Sequence, residues 1–251
     1  MTVVVAFFCN DGVVIAADSM ITPSLGGMPV GHHHGHKISV LDGPQLYAFA
    51  GDQGQSDRLK TMTNGSHGLI HRAQHPLDYA IDISSSIIRQ FQQTGIAMSQ
   101  IGTNAVLAFQ KNGIHHCCVF EGQLQPRFLD HHHFYVALGS GKLSADPFLR
   151  FLTDIFCTNN AQPSVREGMF MATWVIQHVI DTNPGGVAGP IRVAIYEFDA
   201  GQPHARHLDI AEIAEHQQAV ESARAALRGW RDELLSGAAA QNAPDLPQLN
   251  P

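Results

Sequence analysis

The 251-residue chain carries 15 basic against 22 acidic side chains, a formal net charge of −7, and only 15% charged residues. That balance offers no electrostatic footprint for nucleic acid or an anionic membrane, while 44% hydrophobic content at this length supports a substantial core. The apolar start is too short to span a bilayer and lacks a basic leader, and the four cysteines contain no CxxC, so the sequence predicts buried thiols in a cytoplasmic protein.

In chain order, Val3–Cys9 is β-branched and apolar and stops at Asn10-Asp11-Gly12, a hairpin-turn signal. Val13–Ala17 then returns to Asp18, bringing a carboxylate back beside Thr2. A Gly/Pro-rich loop holding Ile21 and Thr22 leads to Lys37–Leu41, a strand-like run that ends at Asp42-Gly43-Pro44. Leu46–Ala50 is the next strand and runs into Gly51-Asp52-Gln53-Gly54, a strand-to-helix junction. Backbone N–H groups at such junctions point towards anions.

A helical region follows from about Asp52 to Thr94, interrupted near Asn64-Gly65-Ser66 and restarted by Pro76. Tyr79, Ile81, Ile83, Ile87, Ile88 and Phe91 approximate its apolar stripe. Strands are predicted at Asn104–Gln110, Ile114–Phe120, around Gln123–Leu129 and at Phe134–Leu138. Helices at about Leu143–Phe156 and Ser164–Ile180 and a strand at Ile191–Phe198 close this part of the chain. Blocks of strands flanked by paired helices imply an α+β protein layered helix, sheet, sheet, helix. Residues 2–208 read as one domain. Asp209-Ile210-Ala211-Glu212 caps a C-terminal helix to about Leu235, whose Ile213, Val220, Leu227 and Leu234 suit packing on the body or on a neighbouring subunit. Residues 236–251 are rich in Ala, Asn and Pro and read as a disordered tail.

The 16 histidines cluster at His32-His33-His34-Gly35-His36, His115-His116 and His131-His132-His133. No carboxylate or thiolate accompanies them at a diagnostic metal-ligand spacing, so neither a metal nor a cofactor is predicted.

An N-terminal Thr carries a hydroxyl nucleophile and an α-amine base in one residue. The small Thr2 side chain permits removal of Met1, and α-amines titrate near 7.7–8.0 or lower beside a cation. A chain using this device must also supply a lysine, a carboxylate to hold it and a donor for the oxyanion. Lys37, Asp18 and the Gly51 N–H are the candidates.

Thr2, the Asp11–Asp18 block, Lys37-Ile38 and Phe49-Ala50-Gly51 resemble a proteasome β-type subunit, and equally the proteolytic core of the bacterial two-component heat-shock protease. Leu138-Gly139-Ser140-Gly141 and Asp181 followed by Gly185-Gly186 agree in order. The resemblance implies the αββα sandwich of N-terminal-nucleophile hydrolases. It also implies Thr2 as nucleophile, an Asp18–Lys37 pair, a Gly51 oxyanion donor, and Ser140 and Asp181 orienting the amine. Phe49 would line the pocket before the cleaved bond, with Ile21, Thr22 and Gln53 at its rim, although Phe49 also reads as core. Pro184 stands where the family usually carries a serine, which alters the amine-orienting network unless Thr182 or Asn183 compensates.

The activity this implies is a threonine-type endopeptidase cutting peptide or unfolded protein inside a stacked-ring homo-oligomer, with an ATP-dependent unfoldase as a further partner. Two alternatives stand beside it: an N-terminal-nucleophile amidase acting on a small amide, and a catalytically inactive ring subunit.

Overall fold

The structure is a computed structural model and describes residues 2–25, 28–157, 161–183 and 186–235. The strands are β1 (Val4–Phe8), β2 (Gly12–Ala17), β3 (Met20–Ile21), β4 (Ser24–Leu25), β5 (Met28–Pro29), β6 (His33–His34), β7 (Ile38–Leu41) and β8 (Gln45–Gly51). Helices α1 (Gln53–Gly65) and α2 (Pro76–Gln93) precede β9 (Thr103–Lys111), β10 (Ile114–Glu121), β11 (Gln125–Phe128) and β12 (Tyr135–Leu138). Helices α3 (Lys142–Phe156) and α4 (Val165–Thr182), strands β13 (Arg192–Asp199) and β14 (Gln202–His207), and helix α5 (Ile210–Leu235) complete the order.

Two five-stranded antiparallel sheets form the centre, ordered β12-β1-β2-β13-β14 and β11-β10-β9-β8-β7. Side-chain alternation along β1 assigns the layers. Val4 and Ala6 point between the sheets with Ala48, Ala50, Val106 and Val119. Val5 and Phe7 point outward beneath α3 and α4, against Leu149, Met171 and Val175. Burial on both faces explains why β1 and β2 read as unbroken apolar runs. On the far side, α1 and α2 cover the second sheet through Leu59, Tyr79, Ile83, Ile87 and Phe91. The molecule is therefore the four-layer αββα sandwich expected from the sequence.

Local chemistry fixes the helix starts. Asp52 accepts the Gln55 N–H at 2.8 Å to begin α1. His75 and Asp78 bond reciprocally around Pro76 to begin α2, and Ser164 with Glu167 does the same for α4.

Some elements differ from expectation. Strand β14 is polar and contains Pro203, so composition hides it, yet it pairs with β13 at the sheet edge, where polar side chains meet solvent. Ile81 lies off the stripe of α2 and is 45% exposed. In α5, Ile213, Val220 and Ala223 are buried, whereas Leu227 and Leu234 are exposed. The expected tail at 236–251 lies outside the described residues. Among the described residues, no helix is long and apolar enough to cross a membrane. Nor does any group of three or more His, Cys, Asp or Glu among them converge to hold a metal ion.

Candidate active site

The first hairpin builds the site. Its register sets Val4 opposite Ala17, so Asp18 emerges beside Val3. Asp18 Oδ1 accepts the Val3 N–H at 2.9 Å, and Oδ2 accepts the Met20 N–H at 3.0 Å. Lys37, at the entry to β7 in the second sheet, donates Nζ to the same Oδ1 at 2.6 Å. The ion pair thus ties one sheet to the other, with the Lys37 and Asp18 side chains 1% and 0% exposed. Burial lowers the Lys37 pKa, and the Asp18 carboxylate opposes that shift without cancelling it. While charged, such a lysine lowers the pKa of a nearby amine by opposing a second positive charge.

Thr2 is half-buried at the start of β1. Its nitrogen donates to Ser140 Oγ at 3.1 Å. With Met1 attached this nitrogen is a peptide amide. The Thr2 carbonyl accepts the Gly141 N–H at 3.0 Å, at the start of α3. Gly139 lies against that carbonyl with φ +87°, and a Cβ there would sit 2.2 Å from Thr2 O. Gly51 is equally constrained, with φ +113° and a Cβ position 2.0 Å from Gly102 O. Both positions require glycine for conformation and for close approach.

Thr2, Gly51 and Ser140 border one cleft of about 400 Å³, with Ala50, Leu138 and Gly139 between them. The same cleft is lined by Asn104, Glu121 and Lys142, which the sequence reading missed. The signal for two of them lies in strand alternation. Asn104 shares parity with inward Val106, and Glu121 with inward Val119, so each ends an apolar face on a polar residue.

The other expected residues are placed elsewhere. The Asp181 carboxylate accepts from Gln177 at 2.8 Å and from Arg224 at 3.2 Å, joining α4 to α5 rather than reaching Thr2. Phe49 is 7% exposed and packs under the helices beside Tyr47, because the two share the face of β8 that looks towards that layer. Ile21 is half-buried with its Cδ1 against Gly35, the Thr22 hydroxyl is buried with no hydrogen-bond partner among the described residues, and Gln53 is exposed at the start of α1. Pro184 and Met1 lie outside the described residues. Thr182 donates its hydroxyl to the His178 carbonyl at 2.8 Å. Asn183 donates to Ser144 Oγ at 2.8 Å, tying the end of α4 to the first turn of α3.

No protein-family model matches the sequence, and neither does any curated protein. Solved structures do match. An Anbu protein from Hyphomicrobium sp. strain MC1 is 14% identical, with 99% of this chain and 100% of that chain covered and a TM-score of 0.67. Anbu from Yersinia bercovieri, described as an ancestral beta-subunit, is 16% identical over 99% and 100% of the two chains, with a TM-score of 0.63. The Anbu complex of Pseudomonas aeruginosa, solved as a helical assembly, is 15% identical over 99% and 98%, with a TM-score of 0.65. At these identities the likeness establishes the four-layer αββα fold alone. It also corrects the family expectation: these full-length matches are Anbu proteins, rather than the proteasome β-type subunit or heat-shock protease core that the motifs resemble.

Proposed function

We propose that the protein is a threonine-type amide hydrolase acting on peptides, with Thr2 as nucleophile after removal of Met1. The observation that carries this reading is the buried Lys37–Asp18 pair at 2.6 Å, whose carboxylate also holds the backbone next to Thr2. Burying two charges is costly, and a plain hydrophobic pair would stabilise the core as well or better, so a chemical role accounts for the pair.

In this mechanism the Thr2 hydroxyl oxygen attacks the substrate carbonyl carbon while its proton passes to the Thr2 α-amine. The Gly51 N–H receives the oxyanion of the tetrahedral intermediate. Collapse breaks the C–N bond, and the ammonium returns its proton to the leaving amine, leaving an ester on Thr2. Water then attacks the ester and gives a proton to the amine; the C–Oγ bond breaks, the ammonium returns that proton to Thr2 Oγ, and the acid is released. Lys37 holds the amine in its neutral form, and Ser140 fixes its position.

Self-association belongs to the same proposal. The Pseudomonas aeruginosa neighbour is an assembly, and α5 carries Leu227, Trp230 and Leu234 at 42%, 40% and 49% exposure beyond its packed half. Hydrolysis of unstructured peptides by the wild type, abolished in Thr2→Ala, tests the activity. Cleavage that persists in Thr2→Ala assigns it to another group.

A further inference from the structure

From the cleft walls we infer that Glu121 selects substrates carrying a cationic group within two residues of the scissile bond. This rests on the reading of Thr2 as nucleophile and adds a substrate class to it. Strand β8 lies between β7 and β9, so the second sheet offers a substrate two directions from Gly51. One leads towards β7. The other crosses Asn104, which follows the β8–β9 register opposite Ala50, to Glu121 at the end of β10. The open cleft takes the second direction, since Asn104 and Glu121 line it with Thr2 and Gly51.

That path passes the Asn104 amide and ends in a carboxylate. Glu121 Oε2 accepts from Arg127 at 2.9 Å, a diagonal pair across the β10–β11 hairpin. The two side chains are 34% and 47% exposed, and a pair so open to water adds little to stability. One Arg127 nitrogen leaves most of the carboxylate's acceptor sites for a substrate ammonium or guanidinium. Lys142 lines the same cleft, where Nζ donates to the Ala137 carbonyl at 3.0 Å and pairs with Asp146 one helical turn on at 3.0 Å. Glu121 is the carboxylate that the cleft offers to a substrate cation.

The test uses the full-length protein and quenched peptides bearing Lys, Gln or Glu at each position within two residues of the cut. A β-lactone probe, scored by labelling of Thr2, is run in parallel. The wild type should favour Lys over Gln peptides by about tenfold, in the range of pocket discrimination. Glu121→Gln should bring that ratio towards one, and Glu121→Asp should keep its direction. Thr2 labelling with equal Lys and Gln rates, with Glu preferred, or with the ratio intact in Glu121→Gln overturns the inference and leaves the nucleophile standing. The wild-type ratio decides by itself if a variant misfolds. Absence of both labelling and cleavage withdraws the inference together with the proposed function.

Discussion

Asp18 Oδ1 receives two donors at once, the Lys37 ammonium at 2.6 Å and the Val3 N–H at 2.9 Å. One oxygen thus couples the buried cation in the second sheet to the backbone that positions Thr2 in the first. Removing either partner has two separable effects. Lys37→Ala strands a buried carboxylate and should destabilise the fold by about 3–5 kcal/mol while abolishing turnover. The double variant Asp18→Asn/Lys37→Met removes both charges, so it should recover much of that stability and none of the activity. Thermal melts and peptide turnover on the three proteins check this; activity in the double variant would detach the pair from catalysis.

Ser140 is the partner of the Thr2 nitrogen at 3.1 Å. Ser140→Ala removes one hydrogen bond near the surface, worth about 0.5–1.5 kcal/mol, so kcat should fall up to roughly tenfold with little change in melting temperature. Ser140→Thr keeps the hydroxyl and should retain most of the rate.

Asp181 gives the opposite expectation. Its contacts with Gln177 and Arg224 join two helices at the surface. Asp181→Asn should therefore cost less than about 1 kcal/mol in stability and leave kcat near the wild-type value. A large loss of kcat with an unchanged melting temperature would place Asp181 in the amine-orienting network after all.

Acid stability follows from His116. Burial is the main reason its pKa falls from 6.5 to about 4, with His115, His75 and Lys111 adding to the shift. Between those values the unfolded chain binds a proton that the folded chain refuses. Stability is accordingly complete above pH about 6.5 and declines as pH falls towards about 4. His178, His207 and His216 shift in the same direction and share the effect. His116→Phe keeps an aromatic ring against Phe109 and Phe128, and should flatten the dependence of melting temperature on pH across this window. An unchanged slope would contradict the assignment.

Much of this was legible in the sequence where local chemistry and tertiary demand agree. Asn10-Asp11-Gly12 turns the first hairpin, and the apolar runs around it become β1 and β2 buried on both faces. The needs of an N-terminal Thr nominated Asp18, Lys37 and Gly51; the fold bonds Asp18 to Lys37 and sets Gly51 on the same cleft as Thr2. What stayed hidden depends on partners far along the chain. Arg224 in α5 captures Asp181, a contact across 43 positions that no local pattern encodes. Phe49 and Ala50 differ by one residue, so strand parity alone decides which faces the helices and which the cleft. Glu121 and Lys142 look like ordinary solvated charges until the two sheets bring them to one opening.

Intact mass combined with peptide mapping after reaction with a β-lactone probe identifies the nucleophile. The expected result is a chain lacking Met1, with one probe adduct per chain, on Thr2. An active preparation that retains Met1, or an adduct on any other residue, would contradict it.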